Sequence, residues 1–397
     1  MSGVATIGFP PLPPPLPREA TKLRSPSAFL FKIFLAALVI GFVSQNAGPH
    51  WLKAIFRPQP VGTSRTALLL PLALILSVLL HEIGHLLPSV GFGFNVARVT
   101  LGPISVIQLH GRWTLQYSHS WFRASVSAIP TDLRAWRARM LIVVAGGPIA
   151  TLGIFLTAVY LLDVLRPAGS AGYFLSVLGE INLFLFVLGL IPNASDASVR
   201  NDARLFITLV RNGFDAEQIR LYHAVTQLQV AGVRPRDYPR QLLAPLAVAN
   251  GNHDLLLFNA LTIFLWALDT ENTLLADAWD QYANSLMQHR PLRLGNTVLA
   301  ESACFDLLHR NASAAAVEKL RAVNFELLSP WLRHRSRAVL QIATSACFDA
   351  LTNLQIARNH LSPPSPYFQF ELATLDLLER QTKIGHPVLG AAATAAA

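Results

Sequence analysis

Between Leu68 and Gly93 the chain reads LLLPLALILSVLLHEIGHLLPSVGFG, an apolar run interrupted by His81-Glu82-Ile83-Gly84-His85. A helix of about 20 apolar residues is what crossing the hydrocarbon core of a bilayer requires. An ionisable side chain near the centre of such a helix costs about 2.5–3.5 kcal/mol on insertion scales. Three polar groups clustered in one greasy segment therefore need a common reason, and a metal ion supplies one. On a helix, residues four apart lie one turn apart on the same face, so the imidazoles of His81 and His85 can reach a single Zn²⁺. Glu82 sits beside the first histidine, where a carboxylate can hold a water and take its proton.

The rest of the composition agrees with a bilayer setting. Hydrophobic residues make up 52% and charged residues 14% of the 397 residues, against about a quarter charged in soluble domains. The net charge of +9 is not gathered into a basic stripe, so no nucleic-acid partner is expected. Cys304 and Cys347 stand far apart, which suggests neither a disulfide framework nor a cysteine-type zinc site.

Four segments are apolar and long enough to span: 29–47, 66–90, 140–162 and 173–192. Beyond residue 205 polar residues return at helical spacing, as in AEQIRLYHAVTQLQVAG. The expected fold is an all-α membrane protein: four transmembrane helices within 28–205, a soluble helical domain over 206–387 and a low-complexity tail over 388–397. Arg18, Lys22, Arg24 and Lys32 precede or open the first span, and Arg98, Arg112, Arg123, Arg134, Arg137 and Arg139 lie in the loop 91–139. This bias puts both termini on the cytoplasmic side of a multi-pass cell (inner) membrane protein.

Three stretches outside the spans have patterns of their own. Residues 1–27 include PPLPPPLPR and no apolar leader, which reads as a disordered proline-rich tail without a cleavable signal, or as a proline-rich ligand for a partner. In the loop 91–139, VARVTLGPISVIQL and GRWTLQYS partly alternate around His110-Gly111, predicting a β-hairpin whose edge could pair with an unwound substrate. Ser302-Ala303-Cys304-Phe305-Asp306 recurs as Ser345-Ala346-Cys347-Phe348-Asp349, suggesting stacked helix pairs of the kind that bind protein partners.

A catalytic zinc takes three protein ligands and keeps one position open. Asp196 and Asp202, just past Pro192, both suit the third place, and Glu180 is an acid within the last span with no assigned role. Asn182 is placed either to bond a neighbouring helix or to touch the site. Gly146, Gly147 and Ala150 would let the third span pack closely on the HEIGH helix.

HEIGH in a membrane span resembles the HExGH motif of the site-2 protease family of intramembrane zinc metalloproteases. Ala145-Gly146-Gly147-Pro148-Ile149-Ala150, Asn182-Leu183, Leu190-Ile191-Pro192 and Asn201-Asp202-Ala203-Arg204-Leu205 are similar to further segments of that family. The resemblance covers roughly residues 66–210. It implies His81, His85 and Asp202 as ligands of one Zn²⁺, Glu82 as the catalytic glutamate, and the membrane segment of another protein as substrate. Gly189, Ala203 and Thr151 depart from the family pattern, and Asp196 stays as the alternative third ligand. If catalysis were impaired, the remaining function would be a membrane adaptor acting through the helical domain.

Overall fold

The computed structural model describes residues 12–14, 62–109, 112–117, 124–192, 201–248, 253–288, 294–361 and 368–385. They fall into two compact units. One ends at Arg220; the other begins at Leu221 and includes Leu12–Pro14.

The first unit opens with α1 (Thr63–Gly91), a 29-residue helix carrying Pro71 and Pro88. After a four-stranded sheet come α2 (Trp136–Leu165) and α3 (Gly169–Leu190), then the short α4 (Asp202–Arg211). Thr66–Gly91, Trp136–Leu165 and Gly169–Leu190 are long and apolar enough to cross a membrane. The expected span 29–47 lies outside the described residues, so only three of the four can be compared. Leu68, Leu72, Ile75, Leu79, Ile149, Leu156 and Tyr160 point outward from these helices, as side chains facing lipid do. Inward, α2 packs along both α1 and α3; Phe155, Val159 and Leu162 meet α3, while Val143 and Val144 join a cluster with Phe94 of the sheet and Leu209 of α4.

The all-α expectation needs correcting here. The loop 91–139 folds as four antiparallel strands, β1 (Phe94–Leu101), β2 (Ile104–Leu109), β3 (Arg112–Tyr117) and β4 (Ala124–Pro130), in the order β3-β2-β1-β4. The anticipated hairpin is its β2–β3 half, paired from Ile104↔Tyr117 to Leu109↔Arg112. ASVSAIP also alternates, and it returns to pair with β1 from Leu101↔Ala124 to Phe94↔Pro130. That long-range pairing is what a search for local turns overlooks. Period-two alternation gives the sheet two unlike faces. Ile104, Trp113, Leu115 and Tyr117 share one face and are at least half exposed. Thr100, Ser105 and Ile107 are buried on the other, where the Thr100 and Ser105 hydroxyls bond at 3.0 Å.

The second unit is helical. α5 (Phe214–Val230) leads into it, and α6 (Arg240–Ala247), α7 (His253–Asp269), α8 (Thr273–Met287), α9 (Gly295–His309), α10 (Ser313–Arg321), α11 (Pro330–Ala343), α12 (Cys347–His360) and α13 (Phe368–Gly385) follow. Successive helices pack as pairs, α7 on α8, α9 on α10 and α11 on α12. One apolar core forms around Trp266, Trp279 and Phe264, another around Leu320, Val339 and Leu354. The two SACFD copies are not equivalent within this array. Ser302–Asp306 lies inside α9, whereas Ser345 has φ +64 and Ala346 caps α12. Five matching letters were too few to mark a repeat; the pairing of helices rests on the core contacts instead. Cys304 and Cys347 are free and buried, and burial pushes the Cys304 thiol up to about 12.

Candidate metal centre

The site is built where α1, α2 and the start of α4 meet. Leu, Ala and Ile carry α1 through the apolar layer, and its small polar groups bond their own backbone. Ser77 Oγ donates to the Ala73 carbonyl at 2.7 Å and Ser89 Oγ to the His85 carbonyl at 2.8 Å. His81, Glu82 and His85, between these two serines, are turned to other use.

His81 Nε2 and His85 Nε2 lie 3.2 Å apart, and Asp202 Oδ2 is 3.2 Å from the first and 3.3 Å from the second. The three ligand atoms fall within 4.8 Å of one another. A carbonyl oxygen can only accept, so His85 Nδ1, 2.8 Å from the Val143 carbonyl, carries the ring's proton. Its Nε2 then presents a lone pair to the other two donors. Lone pairs gathered this closely repel one another unless a cation stands among them. Two imidazole nitrogens and a carboxylate oxygen, with one histidine oriented through its far nitrogen, fit a zinc ion.

Asp202 reaches the histidines from a distant part of the chain because its helix is capped just before it. The Asn201 side chain accepts from the Arg204 amide at 3.2 Å and donates to the Ile191 carbonyl at 2.8 Å. The first contact starts α4, and the second ties that start to the end of α3. Burial works against ionising Asp202, but its closeness to the His81 and His85 imidazoles prevails and holds its carboxyl well below the usual carboxylate range.

Glu82 is 7% exposed and next to this cluster. The Val126 amide on β4 donates to its carboxylate, while Oε2 is buried without a hydrogen-bond partner among the described residues. A carboxylate with one oxygen fixed and one available suits proton transfer.

Glycines make the approach possible. A Cβ on Gly147 would overlap the His85 ring and come within 2.7 Å of His81 Nε2. A Cβ on Gly84 would stand 2.5 Å from the Gly146 carbonyl oxygen, and one on Gly146 would strike the Gly84 carbonyl. Asn182, fully buried, donates to Ser77 Oγ and to the Leu178 carbonyl, each at 2.8 Å. It therefore bonds a neighbouring helix, one turn before His81.

No family model, curated protein or solved structure matches this chain.

Of the residues singled out in the sequence, His81, Glu82, His85 and Asp202 come together. Asp196 lies outside the described residues, and Glu180 is not among the ligand atoms that converge. The Val143 carbonyl, the Val126 amide and the Asn201 cap were not anticipated. Asn immediately before an acidic residue and an apolar helix is a cap signature that could have revealed the last. A backbone carbonyl or amide bears no identifying letter.

Proposed function

We propose that this protein is an intramembrane zinc metalloprotease, hydrolysing peptide bonds in or near the membrane segment of a partner protein. The observation that carries the reading is the convergence of His81, His85 and Asp202 donor atoms within 4.8 Å beside Glu82, among helices apolar enough to cross a membrane. Zinc bound there supplies Lewis acidity toward a peptide carbonyl and a water. His81, His85 and Asp202 would hold it. The Val143 carbonyl keeps the His85 ring oriented. The free oxygen of Glu82 takes the proton of the attacking water and returns it to the departing amide nitrogen. A substrate helix must unwind first, since its carbonyls are already bonded within the helix.

Elemental analysis of the detergent-purified chain tests the metal. About one zinc per chain is expected in the wild type and in Glu82→Gln, and little in Asp202→Ala. Cleavage of a membrane-segment substrate should vanish in Glu82→Gln, by about 10²–10⁴-fold. A wild type that holds no zinc after chelation and reloading, or a Glu82→Gln variant that cleaves normally, refutes the reading.

A further inference from the structure

We infer that the helical unit carries a groove for a polyproline segment and that its resident ligand is the chain's own Pro13-Pro14. The groove is formed by Leu246 of α6, Leu256 and Asn259 of α7, and Trp279 and Tyr282 of α8, with Pro14 seated among them. Pro14 thus lines one groove with three helices that lie more than 230 residues further along the sequence. Pro13 and Pro14 are half-buried while Leu12 is 71% exposed, so the segment rests on its prolines and not on its larger apolar side chain.

The chemistry of the groove matches that ligand. Trp279 and Tyr282 are three residues apart on one face of α8, their rings packed edge to face with centroids 5.5 Å apart. Aromatic walls of this kind receive the rings of an extended proline-rich strand. Proline has no N–H, so Pro13 and Pro14 offer only acceptors, their carbonyls. The Trp279 indole N–H is a donor, buried, with no hydrogen-bond partner among the described residues. A run of prolines also enters the groove already stiff, with little conformational entropy left to lose. The stretch PPLPPPLPR surrounds the seated residues and supplies several registers of the same surface. Being tethered, it holds an effective concentration on the order of millimolar, enough to shut out a free ligand of the same kind at micromolar levels. This inference stands apart from the metal centre and would survive its failure.

Two measurements on the full chain test it. In Leu12→Cys, a thiol-linked photocrosslinker is attached at the exposed position; Cys304 and Cys347 are buried. The adduct is expected within one chain, on peptides from α6 to α8. Adducts elsewhere, or between chains, overturn the inference. Second, a fluorescent peptide of residues 8–19 is titrated into the wild type and into Pro13→Gly/Pro14→Gly, which vacates the groove without touching the helices. The double variant should bind the peptide at least ten-fold more tightly than the wild type, and should not bind a scrambled peptide. Equal affinity of the two chains, or equal binding of the scrambled peptide, overturns it.

Discussion

At Gly147 one methyl group is the difference between the proposed metal site and a steric block. Its Cα faces both imidazoles so closely that Gly147→Ala should leave the purified protein with little zinc. Gly153→Ala, on the same helix with open space around it, should retain the wild-type content, so the pair separates crowding at the rings from a general loss of helix flexibility. A different residue sets a pH dependence. Burial pushes His223 down to about 4, below its value of about 6.5 in an unfolded chain. The unfolded state then binds the extra proton between those values, so stability is full above pH 6.5 and falls as pH drops toward 4. The slope from this residue is about 1.4 kcal/mol per pH unit. Unfolding midpoints measured between pH 7 and 5 should decline in the wild type and flatten in His223→Gln; parallel curves would count against it. Among the site residues, legibility followed distance along the chain. His81, Glu82 and His85 could be read because four residues make one helical turn. Asp202 was found only as one of two acids, since nothing local to it says which helix it will meet.

At the scale of elements, buried charge ties the helical unit together. Arg335 of α11 is fully buried, 2.6 Å from Glu301 of α9 and also paired with Glu371 of α13. Removing the cation would strand two carboxylates in an apolar core, so Arg335→Ala should destabilise this unit by about 3–5 kcal/mol. Chemical denaturation would register it; a loss under 1 kcal/mol would mean that water reaches the site. The helices themselves were visible in the sequence from apolar spacing. Their order of packing was not, and SACFD misled because a short identity carries no information about whether it falls inside α9 or on the turn before α12. The sheet was half legible for a related reason. A hairpin such as β2–β3 is announced by a turn between neighbours, whereas β1 and β4 find each other across the intervening strands.

At the scale of the whole molecule, the contact of Pro14 with α6–α8 has a bearing on topology. Two segments that touch in water lie on one side of a bilayer, so the chain must cross it an even number of times between them. Three helices able to cross stand among the described residues, and the span expected from the sequence over 29–47, outside those residues, would make the number even. Leu12→Cys and, separately, Leu274→Cys, both at exposed positions, should react with an impermeant maleimide from the same face of sealed vesicles. Labelling from opposite faces would refute the four-span arrangement. The crossing of α1 and α2 has a further consequence, for where relatives of this chain are to be sought. Histidine and glutamate announce chemistry, but any surface can carry them. Gly84, Gly146 and Gly147 occupy places where every other letter of the alphabet collides with a carbonyl or an imidazole. The most diagnostic signature of such a chain is therefore a spacing of residues that have no side chain at all.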